Sequence, residues 1–547
     1  MASFNSLSIV LCVSFFLQAV SSKLYSEPYR PQFHFSPKAN WMNDPNGLVF
    51  HNGTYHMFFQ HNPTGIGFGP MHWGHATSQD LVHWEEQPLA LFPDPLGHIF
   101  SGSAVVDINN TSGLAPAGLT AIIAIYTSHN PEFAAQNRTD VERQSIAFSV
   151  DNGKTFVKYE KNPVLPNPGI RDFRDPKVFW YALQEKWVMA LAAQDRIHFY
   201  SSKNLLQWEK ESEFGGPSIG AHGGVWECPD LFLIEQKDIS KWVLLVSINP
   251  GGPNGGSATQ YFTGAFDGKT FTADSKDINW VDYGTDNYAG VTWSNVGDRH
   301  LFLGWMSNWN YGQSVPTEPW RGAMTVPRDL SLKVANENAY LVSQPIPELN
   351  SLIEAELVSL NETTVKGELK LVDTKRENST GLLMVNFELA EVAEWSFVLE
   401  NDLGEQVVVG YEASSRQLYV DRSSSGKLDF EIQFADKMKA PRISQDGSMD
   451  VTLLIDVASI EMFADGGLTC MTAIFFPHKP LNLLSVRSGG VGSLVLGSVR
   501  VWSLNSTVWS GQVDPVSSGL RRAPSTTNSF FIVFSLGLLF LCVLGEL

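Results

Sequence analysis

Short runs of β-branched and aromatic residues, broken by Gly, Asn and Asp, recur along most of the chain. That pattern predicts short strands joined by tight polar turns. No long stretch carries apolar residues at helical spacing with capping residues at its ends. The segment 48–50, then Asn52-Gly53, then 55–60 is the strongest local signal. Asn-Gly readily takes the positive φ values of a two-residue hairpin turn, so these residues predict a hairpin.

A weak internal repeat overlies the strands. Ser78-Gln79-Asp80-Leu81-Val82-His83-Trp84 resembles Ser202-Lys203-Asn204-Leu205-Leu206-Gln207-Trp208. Ser149-Val150-Asp151-Asn152-Gly153-Lys154-Thr155-Phe156 and Phe266-Asp267-Gly268-Lys269-Thr270-Phe271 are variants. Each copy reads as a strand end, a polar turn and an aromatic that opens the returning strand. The copies recur every 50–70 residues, and residues 30–340 hold about five such units. Four-stranded blades arranged radially fit this period, and their inner strands converge on a central pocket. Gln344-Pro345-Ile346-Pro347 marks a boundary, with a linker expected at 341–352. Alternating strands resume at 407–409, 417–420, 451–455 and 460–463, which predicts a sandwich over 353–508. The expected fold is all-β: a five-bladed β-propeller followed by a β-sandwich.

Composition narrows the partners. The chain has 547 residues, too many for one small core, and a net charge of −19. A polyanionic nucleic acid is excluded as a natural partner for such a surface. Aromatic residues make up 12% of the chain, and neutral sugars stack on such rings. Apolar residues 7–20 followed by Ser21, Ser22 and Lys23 predict a cleaved signal peptide at 1–22. N-x-S/T sequons at Asn52, Asn109, Asn110, Asn137, Asn361, Asn378 and Asn505 agree with secretion. Near the other end come small residues Ser517-Ser518-Gly519, a polar spacer at 520–529 and an apolar stretch at 530–544. That order predicts a glycosylphosphatidylinositol signal over 517–547, with a membrane-anchor tail as the alternative. The expected address is extracellular or the cell surface. Of the four cysteines, Cys12 falls in the leader and Cys542 in the tail. Cys228 and Cys470 alone suggest no disulfide framework. No Cys/His spacing suggests zinc and no Gly-rich loop suggests a nucleotide, so no metal or cofactor is expected.

Three acid motifs carry candidate chemistry: Trp41-Met42-Asn43-Asp44-Pro45-Asn46-Gly47, Phe173-Arg174-Asp175-Pro176 and Trp226-Glu227-Cys228-Pro229-Asp230. Hydrolysis of a glycosidic bond needs two carboxyl groups, one to protonate the leaving oxygen and one to attack or to activate water. Pro45 to Gly47 are expected to form a turn that aims Asp44. Glu227, beside Trp226 and Pro229, is expected in an apolar setting that raises its pKa, as a general acid requires. Arg174 is expected to keep Asp175 ionised.

The three motifs in this order closely resemble those of glycoside hydrolase family 32, the invertases, exo-inulinases and levanases. The resemblance spans residues 31–504 and implies a five-bladed propeller followed by a sandwich. It also implies a retaining double displacement through a covalent fructosyl-enzyme. Asp44 is then the nucleophile, Glu227 the general acid/base and Asp175 the transition-state stabiliser, acting with Arg174. Trp41, Asn43 and Gln60 are implied in the fructose pocket, with Phe100 and Ser101 from Phe100-Ser101-Gly102. Asp286 in Gly284-Thr285-Asp286-Asn287-Tyr288 and Trp309 in Trp305-Met306-Ser307-Asn308-Trp309 match segments near its rim. Phe68 stands where the family usually has Trp, which keeps an apolar wall and removes an N–H donor. The segment from Pro253 to Phe262 resembles the exo-inulinase and levanase branch. Sucrose is the expected substrate, as the smallest that these pockets admit, with inulin and levan beside it. A fructosyltransferase using the same acids and a catalytically silent sugar-binding surface protein are the alternatives. Oligomeric state is left open.

Overall fold

Strands Asn40–His51 and Thr54–Asn62 pair antiparallel, and Asn52 and Gly53 make the turn between them. Their φ angles of 47° and 76° are those of a primed hairpin turn. The hairpin opens the first of seven sheets in a computed structural model that describes residues 25–376, 381–489 and 492–508. The stretches read as leader and tail, and the sequon at Asn378, lie outside the described residues.

Blade 1 continues with His72–Ser78 and Glu85–Leu91. Blade 2 is His98–Asp107, Ala121–His129, Glu142–Ser149 and Val157–Lys158. Blade 3 is Phe173–Tyr181, Lys186–Ala193, Arg196–Ser202 and Glu209–Gly215. Blade 4 is Val225–Gln236, Ile239–Asn249, Ala258–Phe266 and Phe271–Ala273, with Asn279–Trp280 added beside its third strand. Blade 5 is Tyr288–Thr292, Leu301–Trp305, Arg328–Ala335 and Asn338–Pro345. The first strand of each blade touches the first strands of its two neighbours, and blade 5 closes onto blade 1. The result is a five-bladed β-propeller.

Period-2 alternation explains how the blades adhere. In blade 2, Ile122, Ala124 and Tyr126 pack against Phe58 and Trp73 of blade 1. The intervening Ile123 and Ile125 join Met189 and Leu191 of blade 3. In blade 3, Val188 and Ala190 then meet Leu244 and Val246 of blade 4. Both faces of each middle strand are therefore apolar, which erases the alternating signal of a one-sided sheet.

The repeat marks one place in each of blades 1 to 4. Its four copies are the turns between the third and fourth strands of blades 1 to 4. In blade 1 the Trp84 indole N–H donates to the Leu81 carbonyl at 2.9 Å, and in blade 3 Trp208 donates to Leu205 at 3.0 Å. Leu81 and Leu205 share positive φ values of 67° and 63°.

The last strand of blade 5 runs to Pro345, five residues into the stretch expected to be linker. Its ladder with Arg328–Ala335 persists to Arg328↔Pro345, and a short 3-10 turn, Pro347–Leu352, follows. From Ile353 the chain builds two six-stranded antiparallel sheets packed on a core that includes Phe387, Trp395, Phe397, Val451 and Val499. A buried charge network stitches this sandwich to the propeller. His34 bonds Asp456 and Glu461 of the sandwich, each at 2.8 Å. Arg328 bridges Glu461 and Asp282.

Candidate active site

Each of the five inner strands loses its regular pairing near its N-terminal end. The register shifts fall at Met42/Pro45, at Ile99/Gly102, opposite Arg174–Lys177, at Glu227/Asp230 and at Tyr288/Val291. A bulge re-aims side chains, and five at one end of a ring aim them at one point. Pro45, Pro176 and Pro229 occupy these irregular stretches, where a missing N–H costs no ladder bond. Asp175 and Cys228 hold positive φ angles of 65° and 44°, unfavourable for side-chain-bearing residues. The run around Asp44 was expected to be a turn. It is instead a strand with two bulges, because pairing with Thr54–Asn62 resumes on either side. Gly47 there has φ 53°, and a Cβ would lie 2.7 Å from the Phe58 ring and 2.8 Å from Trp73.

Asp44 is buried on the inner strand of blade 1. The Asn43 amide donates to its Oδ1 at 2.9 Å, and the Ser101 hydroxyl of blade 2 donates to its Oδ2 at 2.6 Å. The Trp41 indole N–H donates to Asn43 Oδ1 at 2.7 Å, so fully buried Trp41 orients the amide that orients the acid. Burial raises the Asp44 pKa; Ser101 opposes this and the Glu227 charge adds to it.

Asp175 approaches from blade 3. The Cys228 backbone N–H donates to its Oδ2 at 3.0 Å. The Cys228 thiol lies 3.5 Å from Asp44 Oδ2 and 3.6 Å from Asp175 Oδ2, which brings blades 1, 3 and 4 to one point. Burial pushes that thiol well above its ordinary pKa, and the surrounding carboxylates push it further, so it stays protonated. Burial likewise pushes Asp175 up to about 8, against Arg174 and with the charges of Glu227 and Asp44. Arg174 was expected to hold Asp175 ionised. Its hydrogen bonds go instead to Glu227, Glu142 and Asp172.

Glu227 also differs from expectation. Alternation along its strand sends Trp226 into the core between blades 3 and 4, away from the carboxylate. Glu227 Oε1 receives Arg174 Nη2 at 3.0 Å and Nε at 3.2 Å, and its Oε2 receives the Tyr288 hydroxyl. Its surroundings are a guanidinium and a phenol, not an apolar nest.

Aromatic rings form a wall. Phe68 is 41% exposed and lies edge-on to Phe100 at 5.9 Å and to Trp309 at 5.6 Å. Trp309 continues to Trp41 and Trp305 at 5.9 and 5.1 Å. Phe100 stacks on His129 at 4.1 Å. Gln60 is buried, and its amide nitrogen has no hydrogen-bond partner among the described residues. Asp286 is not brought into this group. It is fully buried against the sandwich, where Arg422 at 2.7 Å, Tyr311 at 2.7 Å and the Ile474 N–H at 3.0 Å use its oxygens.

Residues 34–345 match the family model of the glycosyl hydrolases family 32 N-terminal domain, and residues 348–503 match that of the family 32 C terminal. The chain belongs to glycoside hydrolase family 32. It is 43% identical over 523 residues to a levanase of Bacillus subtilis, covering 92% of this chain and 76% of that enzyme. It is 42% identical over 520 residues to an extracellular exo-inulinase of Aspergillus niger, covering 88% of this chain and 96% of that one. The crystal structure of an exo-inulinase from Aspergillus awamori superposes with a TM-score of 0.82 at 38% identity, over 88% of this chain and 99% of the other.

This family 32 glycoside hydrolase places two further residues, Cys228 and Tyr288, against its acids, and two more, Glu142 and His129, behind Arg174. Cys228 and Tyr288 lie inside quoted segments. Tyr288 sits two residues beyond Asp286 on the same segment. Glu142 and His129 belong to no motif. His129 ends one strand of blade 2 and Glu142 opens the next; Glu142 reaches Arg174 because blades 2 and 3 pack side by side, and His129 joins the group through Glu142.

Proposed function

We propose that this family 32 enzyme hydrolyses terminal non-reducing β-D-fructofuranosides with retention, by double displacement. The observation that carries the proposal is the meeting of Asp44, Asp175 and Cys228 within 3.5–3.6 Å contacts, with Glu227 the next residue along. Asp44 is the nucleophile. Asn43 and Ser101 hold one oxygen each, which fixes the carboxylate's orientation towards the anomeric carbon. Glu227 protonates the leaving oxygen, then removes a proton from the water that cleaves the fructosyl-enzyme. Asp175 accepts fructose hydroxyls, and such bonds favour its ionised form against burial. Gln60 offers a buried N–H that a fructose hydroxyl can satisfy. Trp309, Phe68 and Phe100 line the mouth, where the leaving group departs.

Sucrose, inulin and levan all present a terminal fructose. The likeness to a levanase and to exo-inulinases supports the two polymers, and sucrose is the smallest of the three substrates. The enzyme acts outside the cell, reached through the leader and held by the tail; the extracellular exo-inulinase relative supports secretion. Relative kcat/KM on sucrose, inulin and levan tests the substrate. Fructose release from at least one is expected. Kestose-like oligomers accumulating from the start would indicate a transferase, and silence on all three a binding protein.

A further inference from the structure

Arg174 serves three carboxylates at once. Its Nε and Nη2 face Glu227 Oε1 at 3.2 and 3.0 Å, and its Nη1 faces Asp172 at 2.6 Å and Glu142 at 3.2 and 3.4 Å. Glu142 is itself buried and fully used. Its Oε2 accepts the Phe173 N–H at 2.8 Å, which pins the start of the strand carrying Arg174 and Asp175. Its Oε1 also meets His129 Nδ1 at 3.3 Å, and the His129 ring stacks on Phe100 of the aromatic wall. Arg174 and His129 outweigh burial and keep Glu142 below the usual carboxylate range, so it carries its charge where Glu227 must release and regain a proton.

We propose that Glu142 is a positioning residue for the hydrolysis: it holds the Nη1 side of Arg174, so that the guanidinium is shared between carboxylates and not committed to Glu227 alone. The inference rests on Glu227 being the acid/base. A guanidinium bound to Glu227 alone would hold it ionised and useless as an acid at neutral pH. Sharing Arg174 with Glu142 and Asp172 weakens that hold without removing the cation from the site. The other groups facing Glu227 are Tyr288, Cys228, Asp44 and Asp175, while the titratable partners of Glu142 are Arg174 and His129.

The test is the pH profile of kcat/KM on sucrose for wild type, Glu142→Gln, Glu142→Asp, Asp172→Asn and Glu227→Ala. Glu142→Gln should move the basic limb down by about 0.5–1 pH unit, with activity one unit above the wild-type limb falling about 3- to 10-fold further than on the plateau. Glu142→Asp, which keeps the charge, should restore most of the limb. Asp172→Asn should move it the same way by less, because Asp172 is partly solvated. A uniform loss at every pH in Glu142→Gln, with the limb unmoved, overturns the inference and leaves Glu142 a structural anchor. If Glu142→Gln does not fold, an unmoved limb in Asp172→Asn overturns it. A wild-type basic limb persisting in Glu227→Ala would instead overturn the acid/base assignment itself.

Discussion

Ser101 and Asp44 come from neighbouring blades, yet the Ser101 hydroxyl donates to Asp44 Oδ2 at 2.6 Å. A short bond to a buried carboxylate orients it and opposes the rise in its pKa. Ser101→Ala leaves the acid and removes the donor. Loss of a charged hydrogen bond is worth about 1.5–3 kcal/mol. The variant's kcat/KM on sucrose should therefore fall roughly 10- to 150-fold, with circular dichroism unchanged.

Glu227→Gln keeps a hydrogen-bonding partner for Arg174 and Tyr288 but cannot exchange a proton. Turnover should drop by about a thousandfold or more. Binding of fructose, followed by calorimetry, should stay within a few-fold of wild type. Loss of binding along with turnover would make Glu227 a ligand holder and not the acid/base.

Asp286 pairs with Arg422 across the boundary between propeller and sandwich, both fully buried. Asp286→Ala strands a guanidinium that also packs 3.7 Å over the Phe434 ring. Breaking a buried pair from one side costs about 3–5 kcal/mol. Denaturant unfolding should show a loss of that size. A variant with wild-type stability and a raised KM would return Asp286 to the pocket rim.

His34 lies between Asp456 and Glu461, and these carboxylates outweigh burial to raise its pKa to about 9. A folded pKa above the unfolded value of about 6.5 means the imidazolium stabilises the fold fully below pH 6.5. That stabilisation fades as pH rises through 9. It amounts to about 3 kcal/mol as an order of magnitude. Asp456 and Glu461 have lowered pKa values, so their share is lost instead as pH falls into the acid range. Unfolding free energies of wild type and His34→Gln should differ at pH 6 and converge near pH 10. A constant difference across that range would show that His34 packs without titrating.

Much of the fold was legible because it is local. Asn52-Gly53 specified its hairpin, and the repeated turns marked the third-to-fourth strand connection of four blades. The three acid motifs stand out in the sequence because each contains a proline that only an irregular strand accepts. Asp286 misled for a related reason: it stands in a matching segment two residues from Tyr288, and sequence spacing does not tell which of the two turns inward. Trp226 misled because adjacency along a strand means opposite faces. Glu142 and His129 were invisible because no local pattern predicts which side chain of blade 2 meets Arg174 of blade 3.

By itself, then, the order of residues determined the strands, the turns and the count of blades, since these depend on period-2 burial and on what Pro, Gly and Asn permit the backbone. Only the closed ring decided the company the three acids keep. Bulges on three separate strands bring Asp44, Asp175 and Glu227 to one end of the ring, where burial raises the pKa of Asp44 and Asp175. Charge and burial act through space, and distance through space is set by how blades pack and not by position along the chain.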